Sequence, residues 1–461
     1  MKEKVEFSAY SPTDYRYAVT TLSEFLSEEA FVHYKAKVEA AIARGFANKG
    51  ILSSDLCDEI LEAASQVNAE AVYDEEQRTK HDIRALVNVI KAKVSEEAKP
   101  FVHLCATSYD VVDTANALRY KDAVNKVIIP DMIALERAWI DLARREKDTL
   151  QIGRTHGQHA EPITFGFAVA QYVNRWGSQI LKLRDASDNL RGQFSGAVGA
   201  YNATALVFDD PEEFEREVLA MLGLQPAAIS TQIVPPEPMS DFIHSVICSF
   251  SVLANFCDDM RHLQRTEISE VMERVTEGQV GSSTMPHKRN PIGFEGVKSL
   301  WKKFMPQVVT MHLDQVSEHQ RDLTNSASQR YISELLVVFD YCVTRLKRIS
   351  ERLVVDRAKM RANFAISEDT IIAEPLYILL SYYGHPDAHE YVRKKTLQAY
   401  NEQKSLKELI EAESDEEVLS YMKRFTVEQK AKAFDAEKYT GIAAAKVDKV
   451  ADYWERVLTD L

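Results

Sequence analysis

Long stretches without glycine or proline constrain this chain more than any other feature of its sequence. Residues 239–277 form a stretch of 39 residues without either, and residues 307–374 a stretch of 68. Within the first stretch, apolar side chains recur at three- and four-residue steps, which is typical of a helix packed on other helices. A helix over the whole stretch would be about 58 Å long at roughly 1.5 Å per residue. A rod of that length needs partner helices of similar length.

The sequence therefore predicts an all-α fold around a central bundle of about five long helices. We expect the other long helices at 111–147 with a kink at Pro130, at 162–191, at 292–320 with a break at Pro306, and from about Ala327 onward. Ser326-Ala-Ser-Gln329 has the pattern of a capping box, which supports a helix start at that point. Flanking helical regions complete three predicted domains, at residues 1–100, 101–352 and 353–461.

Composition and charge exclude several classes of protein. The formal net charge is −14, which argues against general binding to nucleic acid or to anionic membranes, because both need a basic surface. The amino terminus lacks the apolar core of a signal peptide, and no apolar stretch reaches the roughly 18 residues of a membrane span. Five scattered cysteines without a Cys-x-x-Cys pair support neither a disulfide framework nor a thiolate zinc site. We therefore expect a cytoplasmic protein with reduced cysteines and no membrane segment.

The segment 279–292, QVGSSTMPHKRNPI, contains glycine and two prolines, unlike the long stretches on either side of it. Gly281 and two hydroxyls precede a Met-Pro pair, and Lys288 and Asn290 then stand just before Pro291 and a new helix. Such a loop can present hydroxyls and backbone N–H groups to an anion, with the N-terminus of the following helix adding partial positive charge. A plain interhelical turn is the alternative that composition alone leaves open.

Two further polar segments interrupt the helical pattern. Residues 153–162, GRTHGQHAEP, carry His156 and His159, whose spacing could indicate a metal pair, but no third ligand lies nearby and the glycines favour a loop. For His159 we favour a hydrogen-bonded structural histidine. In residues 101–110, FVHLCATSYD, the hydroxyls of Thr107 and Ser108 and the first-turn N–H groups could bind a carboxylate. Thr107-x-x-Asp110 could equally be only a helix cap.

The loop at 279–292 resembles the signature motif of the fumarase/aspartase superfamily, whose lyases release fumarate from substituted succinates. The resemblance implies that Ser282 is the base that removes a proton next to a carboxylate, with Ser283 as the alternative, while Lys288 and Asn290 hold that carboxylate. Donors and cations aimed at the resulting dianionic intermediate would then make the largest contribution to catalysis. A neutral serine is a poor base and needs nearby positive charge to activate it.

The other two segments also resemble this superfamily. The Thr-His-Gly sequence implies that His156 is the general acid that protonates the departing nitrogen, a role suited to imidazole near neutral pH. The Thr-Ser-x-Asp sequence implies that Thr107 and Ser108 bind substrate. Tyr109 stands where a smaller or more polar residue is expected, which leaves the local contacts open.

Further segments resemble the adenylosuccinate lyase family in particular. The residues that this resemblance assigns to substrate binding are Arg16 and Tyr17 in SPTDYRY, Lys80, His81 and Asp82 in TKHD, Gln232 in STQ, and Arg321, Ser326 and Arg330 in QRDLTNSASQR. Arginines and a helix N-terminus also suit a phosphomonoester on chemical grounds alone. The chain departs from the common family pattern at Gln320, which we treat as a subgroup difference. It also departs at Ala327 and Gln329, which could alter how the loop binds the nucleotide.

The family resemblance implies β-elimination of fumarate from adenylosuccinate, giving AMP, and from succinylated aminoimidazole carboxamide ribotide (SAICAR), giving AICAR, in purine nucleotide biosynthesis. It implies no metal or organic cofactor, no nucleic-acid or membrane partner, and a homotetramer whose shared active sites draw on three subunits. Two alternatives stay open. One is another fumarate-releasing enzyme, similar to argininosuccinate lyase, and the other is a non-catalytic helical scaffold. The scaffold is disfavoured because it has no need for base, acid, lysine and phosphate-binding arginines together.

Overall fold

The prediction of an all-α fold is confirmed. A computed structural model describes residues 9–274, 284–285, 287–459 and 461, and most of these are helical. The α-helices in chain order are α1 (Ser23–Leu26), α2 (Glu28–Asn48), α3 (Ser54–Ser65), α4 (Ala69–Thr79), α5 (Asp82–Lys91), α6 (Ser108–Ala123), α7 (Ile129–Arg145), α8 (Phe165–Asp188), α9 (Pro211–Met221), α10 (Glu237–Leu263), α11 (Ile292–Phe304), α12 (Gln307–Leu313), α13 (Ile332–Ser350), α14 (Arg357–Ala365), α15 (Glu368–Ile371), α16 (Ala373–Tyr382), α17 (Ala388–Glu402), α18 (Leu406–Glu411), α19 (Glu416–Lys423), α20 (Val427–Phe434) and α21 (Ala443–Thr459).

Short 3₁₀-helices and strands connect these elements. The 3₁₀-helices are Pro12–Asp14, Thr20–Leu22, Lys99–Phe101, Thr204–Leu206, Ser328–Tyr331 and Ala436–Lys438. The strands form three two-stranded pairs: antiparallel β1 (Leu150–Thr155) with β2 (Gln158–Thr164), parallel β3 (Arg191–Gly192) with β4 (Gln225–Pro226), and antiparallel β5 (Val271–Met272) with β6 (Val354–Val355).

The chain divides into two compact units. The first comprises residues up to Ala134 with Ser178–Ala254 and Val297–Arg345, and the second comprises Leu135–Gly177, Asn255–Gly296 and Leu346–Leu461. The three-domain division of the sequence stays a prediction.

Aromatic contacts between long helices build the core of the first unit. Tyr120 of α6 stacks on Phe242 of α10, with 6.3 Å between ring centroids. Phe250 of α10 meets Phe339 of α13 edge-on at 5.7 Å. All four rings are fully buried. Each ring therefore stabilises the core through its apolar burial and, in addition, through its contact with the other ring of its pair. α6, α10 and α13 therefore pack together as the sequence predicts for a bundle of long helices.

A second aromatic cluster lies within the second unit. The Trp139 indole of α7 lies 4.6 Å from the Phe256 ring of α10 and 5.8 Å from the Trp176 indole of α8, measured between ring centroids. Phe256 in turn contacts Phe294 of α11 at 6.2 Å. Four helices thus meet at one group of buried rings.

The predicted kink at Pro130 takes the form of a π-helical turn. Val124–Ile128 is π-helical and joins α6 directly to α7, with the Ile129 N–H bonded to the Val124 carbonyl. Proline cannot donate a backbone hydrogen bond, and its ring clashes with the carbonyl four residues earlier, which is inside this turn. The wider turn accommodates the proline without ending the helix.

The predicted helix over 239–277 is wrong beyond Leu263, where α10 ends. The Glu270 N–H returns to the Leu263 carbonyl at 2.9 Å, and Ser269 has a φ of +51°, so the chain leaves the helix axis. β5 then pairs with β6. The Glu270 carboxylate is fully buried among hydrogen-bond donors of the second unit, and continuing the helix would remove it from them.

The segment after α11 also differs in detail from the prediction. The break at Pro306 is confirmed, but α12 ends at Leu313 and α13 begins at Ile332, after the 3₁₀-helix Ser328–Tyr331. The predicted capping box at Ser326 does not form. Instead the Gln329 N–H donates to the Asn325 carbonyl at 3.3 Å, and the Ser328 hydroxyl donates to Asp314 at 2.5 Å.

Contrary to the expectation that no stretch is long and apolar enough, helix α10 has the length and apolar composition of a membrane span. Most of its apolar stretch is nevertheless buried inside the protein, as in the core helix of a soluble protein. Its aromatic contacts with α6 and α13 account for that composition.

Candidate active site

Eight of the predicted substrate-binding residues line one cleft in the first unit. The cleft has a volume of about 720 Å³, within the range of small-molecule sites. Five segments that are far apart in sequence contribute to it, and four of them carry the predicted residues. The predicted residues in its lining are Lys80, His81, Asp82, Ser108, Gln232, Arg321, Ser326 and Arg330.

The start of helix α5 fixes the ring of His81 in this cleft. His81 is the N-cap residue, and its Nδ1 accepts a hydrogen bond from the Arg84 N–H at 3.3 Å. An accepting Nδ1 in a neutral imidazole leaves the proton on Nε2. This Nε2 lies 3.4 Å from the Ser108 hydroxyl at the start of α6. His81 therefore presents an N–H donor at the place where the two helices begin.

A buried carboxylate anchors the start of α6. Asp110 accepts hydrogen bonds from the backbone N–H groups of Thr107 at 2.8 Å, Ser195 at 3.1 Å and Gly196 at 3.2 Å. Burial raises its pKa to about 6, although these three bonds act in the opposite direction. The cap interpretation of Thr107-x-x-Asp110 thus has structural support, and Thr107 does not line the cleft. Its role in substrate binding stays a prediction.

Arg321 is held by neutral groups and keeps donors available. Its guanidinium carbon lies 3.2 Å from the centroid of the Tyr109 ring, and its Nη1 donates to Gln232 Oε1 at 3.4 Å. Nε and Nη2 are buried and have no hydrogen-bond partner in the part of the chain that the structure describes. Burial raises the pKa of nearby Asp113 to about 7, while the Val234 N–H and Arg321 lower it. The lining therefore contains a cation with two donor nitrogens, Nε and Nη2, that the described part of the chain does not use.

Other cations in the lining also lack acidic partners. Within the described residues, Lys80, Arg321 and Arg330 form no ion pair with a carboxylate within 4.0 Å. Lys80 has a φ of +55° and ends α4, with its N–H bonded to the Glu76 carbonyl at 2.7 Å. Arg330 lies exposed on the 3₁₀-helix before α13. This arrangement can bind an anionic group without first breaking an ion pair.

Arg16 and Tyr17 do not line the cleft. The Tyr17 ring packs edge-on against Tyr341, with 5.3 Å between centroids, and Arg16 is exposed. The preceding 3₁₀-helix is attached through the Ser11 hydroxyl, which donates to Glu334 at 2.6 Å. Their predicted contact with a nucleotide phosphate stays a prediction.

His156 lies in the second unit, at the tip of the β1–β2 hairpin. His156 and Gly157 form the two-residue turn, with φ values of +54° and +76°. Positive φ at both positions is what a type I′ hairpin turn requires. The His156 side chain is exposed. The hairpin itself was not predicted, although the His-Gly pair between two extended, partly apolar runs was an available signal.

Glu270 binds the first strand of that hairpin. The Glu270 carboxylate accepts hydrogen bonds from Arg154 Nη2 at 2.6 Å, Gln151 Nε2 at 2.8 Å and Asn363 Nδ2 at 2.9 Å. A buried carboxylate needs such a complete set of donors to be stable. Because Arg154 stands two residues before His156, this network attaches the strand just before the turn to the second unit.

His159 behaves as a structural histidine. Its Nδ1 lies 2.8 Å from the Ser367 hydroxyl, and burial lowers its pKa. Across residues 9–274, 284–285, 287–459 and 461, no group of three or more His, Cys, Asp or Glu side chains is arranged to hold a metal ion.

The signature loop is described only in part. Ser282 and Ser283 lie outside the described residues, whereas Lys288 and Asn290 line a cleft of about 920 Å³ in the second unit. Lys288 is exposed there. The expected anion site at the start of α11 is already used by the protein, because the N–H groups of Gly293 and Phe294 donate to Glu273 at 3.0 and 2.8 Å.

Comparison with known proteins identifies the family. The model of a lyase family matches residues 8–305, and the model of the adenylosuccinate lyase C-terminal region matches residues 317–430. The adenylosuccinate lyase of Archaeoglobus fulgidus is 34% identical over 451 residues, covering 97% of this chain and 99% of the relative. The chain belongs to the adenylosuccinate lyase family. The adenylosuccinate lyase of Pyrococcus abyssi is 36% identical over 456 residues, with 97% and 99% coverage.

Solved structures share the fold at lower identity. The 3-carboxy-cis,cis-muconate lactonizing enzyme of Pseudomonas putida superposes with a TM-score of 0.82 at 24% identity, covering 97% of this chain and 99% of that one. A fumarate lyase from Mesorhizobium sp. BNC1 gives a TM-score of 0.81 at 24% identity, with 95% and 98% coverage. Both similarities concern the fold alone. The all-helical architecture is thus that of this wider group of proteins.

Proposed function

We propose that this chain is a carbon–nitrogen lyase that releases fumarate from adenylosuccinate, giving AMP, and from SAICAR, giving AICAR. The observation that carries the proposal is the convergence of eight predicted substrate-binding residues on one cleft, whose Lys80, Arg321 and Arg330 have no ion pair among the described residues, in a chain of the adenylosuccinate lyase family. The alternative of a non-catalytic scaffold gives no reason for cations without acidic partners to meet in a cleft.

The phosphate of the substrate would bind to Arg321, Ser326 and Arg330. A phosphomonoester carries about −1.5 to −2 charges at pH 7 and offers three acceptor oxygens. The Nε and Nη2 nitrogens of Arg321 are buried and have no partner among the described residues, and its stacking on Tyr109 keeps the guanidinium plane in one orientation. A preoriented guanidinium can form two parallel hydrogen bonds to one oxyanion.

The succinyl group would lie nearer the starts of α5 and α6. Ser108 and the first-turn N–H groups of α6 are suited to a carboxylate, and the Nε2–H of His81 is directed at the same place. His81 would orient the substrate or assist the acid there.

The elimination itself would need groups from both units. Ser282 would remove the proton next to a carboxylate, His156 would protonate the departing nitrogen, and Lys288 with Asn290 would stabilise the dianionic intermediate. A homotetramer in which several subunits complete each site would bring these groups together, and the exposed position of His156 at a hairpin tip fits a residue that a neighbouring subunit uses. No metal or organic cofactor enters this scheme, and we expect the enzyme in the cytoplasm.

The test is product formation by the purified full-length protein. Adenylosuccinate and SAICAR should each yield fumarate and the matching ribonucleotide in equal amounts, while His156→Ala should strongly reduce both reactions. Fumarate release from argininosuccinate, with none from either purine precursor, would instead favour the related lyase. Absence of turnover with all three substrates would favour the scaffold.

A further inference from the structure

The floor of the cleft holds a guanidinium that no sequence motif indicated. Arg119 lies about three turns beyond Ser108 on α6, on the helix face that also presents Val112 and Asn116 to the cleft. Arg119 is only 4% exposed. Its Nε donates to Asn116 Oδ1 at 2.9 Å, and its Nη2 donates to the Tyr120 hydroxyl at 2.9 Å. Arg119 therefore holds a buried positive charge whose hydrogen-bond partners are neutral.

A second buried cation lies against the same aromatic ring. The Arg119 guanidinium carbon is 4.0 Å from the Phe31 ring centroid, and the Lys35 ammonium is 4.3 Å from it. Lys35 is 4% exposed, and Asp82 lies 3.8 Å from its ammonium nitrogen. An aromatic face attracts a cation without neutralising it. Two buried cations thus share one ring and have a single carboxylate within ion-pair distance among the described residues.

This pair lies next to the predicted phosphate site. Burial lowers the pKa of the Lys35 ammonium, and the charges of Arg119 and Arg330 lower it further, while Asp82 and Glu28 raise it. Lys35 therefore experiences the fields of both arginines. Lys35, Arg119 and Arg330 are thus three cations facing the two carboxylates of Asp82 and Glu28, and this difference of one positive charge favours an anionic ligand there.

We propose that Arg119, with Phe31 and Lys35 beside it, forms a second anion subsite that takes a phosphoryl group. The ligand class is a nucleoside diphosphate, whose first phosphate occupies the site assigned above and whose second phosphate reaches Arg119. Such a ligand competes with the substrate for the cleft. The inference rests on the proposed function only for the position of the first phosphate.

Calorimetric titration of the full-length protein, with a chelator present to remove divalent metals, tests this subsite. The probes are AMP against ADP, and inorganic phosphate against inorganic pyrophosphate. ADP should bind about ten-fold or more tightly than AMP, because a second phosphate gains charge-assisted hydrogen bonds. Arg119→Gln should abolish the preference for ADP and for pyrophosphate while leaving the affinity for AMP within about two-fold. Arg216→Gln, which removes an exposed arginine in the same unit, should keep the preference.

Two results would overturn the subsite. One is equal affinity for AMP and ADP in the unaltered protein, a comparison that needs no variant to fold. The other is a loss of AMP affinity in Arg119→Gln as large as the loss of ADP affinity, since Arg119 would then serve the first phosphate. Arg119→Lys keeps the charge and provides the comparison if the glutamine variant does not fold. If the proposed function is wrong, the protein will release no fumarate. The comparison of pyrophosphate with phosphate tests the subsite whether or not the protein is a lyase.

Discussion

The Glu270 network offers a sharp test of how the second unit holds its hairpin. Glu270→Gln keeps the size of the side chain but leaves the Arg154 guanidinium without its counter-charge. The Glu270 side chain is fully buried and that of Arg154 is 17% exposed, so little water can replace the lost partner. Breaking a buried ion pair at one side costs about 3–5 kcal/mol. Because glutamine can still accept a hydrogen bond, we expect a loss of about 3 kcal/mol.

Urea unfolding of the two proteins measures this loss. The midpoint of Glu270→Gln should fall at an unchanged slope, since the surface exposed on unfolding stays the same. Arg216→Gln is the matched control, because its ion pairs are 3.8 and 3.9 Å long and solvent-exposed, and it should lose less than about 1 kcal/mol. Equal midpoints for Glu270→Gln and the unaltered protein would refute the view that this carboxylate holds the hairpin in place.

Three further predictions concern other parts of the chain. Tyr109→Ser should raise KM about 3- to 30-fold with little change in kcat, because it removes the ring that packs against the Arg321 guanidinium. Tyr109→Phe keeps that ring and should retain the KM of the unaltered protein. Steady-state kinetics of the two variants checks this. Burial alone would raise the pKa of Glu413, but an ammonium, a phenol and two backbone N–H groups lower it to about 2. The ionised Glu413 carboxylate therefore stabilises the fold fully above pH ~4.5, and this stabilisation is lost as the pH falls towards 2. Over that pH range the free energy of unfolding should fall more steeply in the unaltered protein than in Glu413→Gln. Urea titrations at each pH measure this difference. Gly177→Ala should lower the thermal midpoint by the equivalent of about 1–3 kcal/mol in a calorimetric scan, since a Cβ there would lie 2.4 Å from the Trp454 ring; an unchanged midpoint would contradict this.

The long helices were predictable because their signal is local and repeated. Apolar spacing in the 239–277 stretch correctly indicates α10 up to Leu263. The absence of glycine and proline does not mark the helix end, because the chain leaves the helix to bring Glu270 to Arg154. That contact joins residues more than a hundred positions apart, and no local pattern contains it.

The cleft was predictable where a sequence motif exists. The segments of His81, Ser108 and Arg321 carry recognisable patterns, and the structure brings all three to one cleft. Arg119 and Phe31 were missed because they stand inside regular helices without a recognisable motif around them, and nothing in the local sequence shows that Arg119 is buried. Only the packing of α2 against α6 makes them partners.

The most direct test of the central claim is the stoichiometry of adenylosuccinate turnover in the unaltered protein and in Ser282→Ala. We expect the unaltered protein to release one fumarate for each AMP, and Ser282→Ala to bind the substrate with similar affinity but to release neither product. Turnover by Ser282→Ala at the rate of the unaltered protein would contradict the assignment of the base, and absence of fumarate from the unaltered protein would contradict the lyase itself.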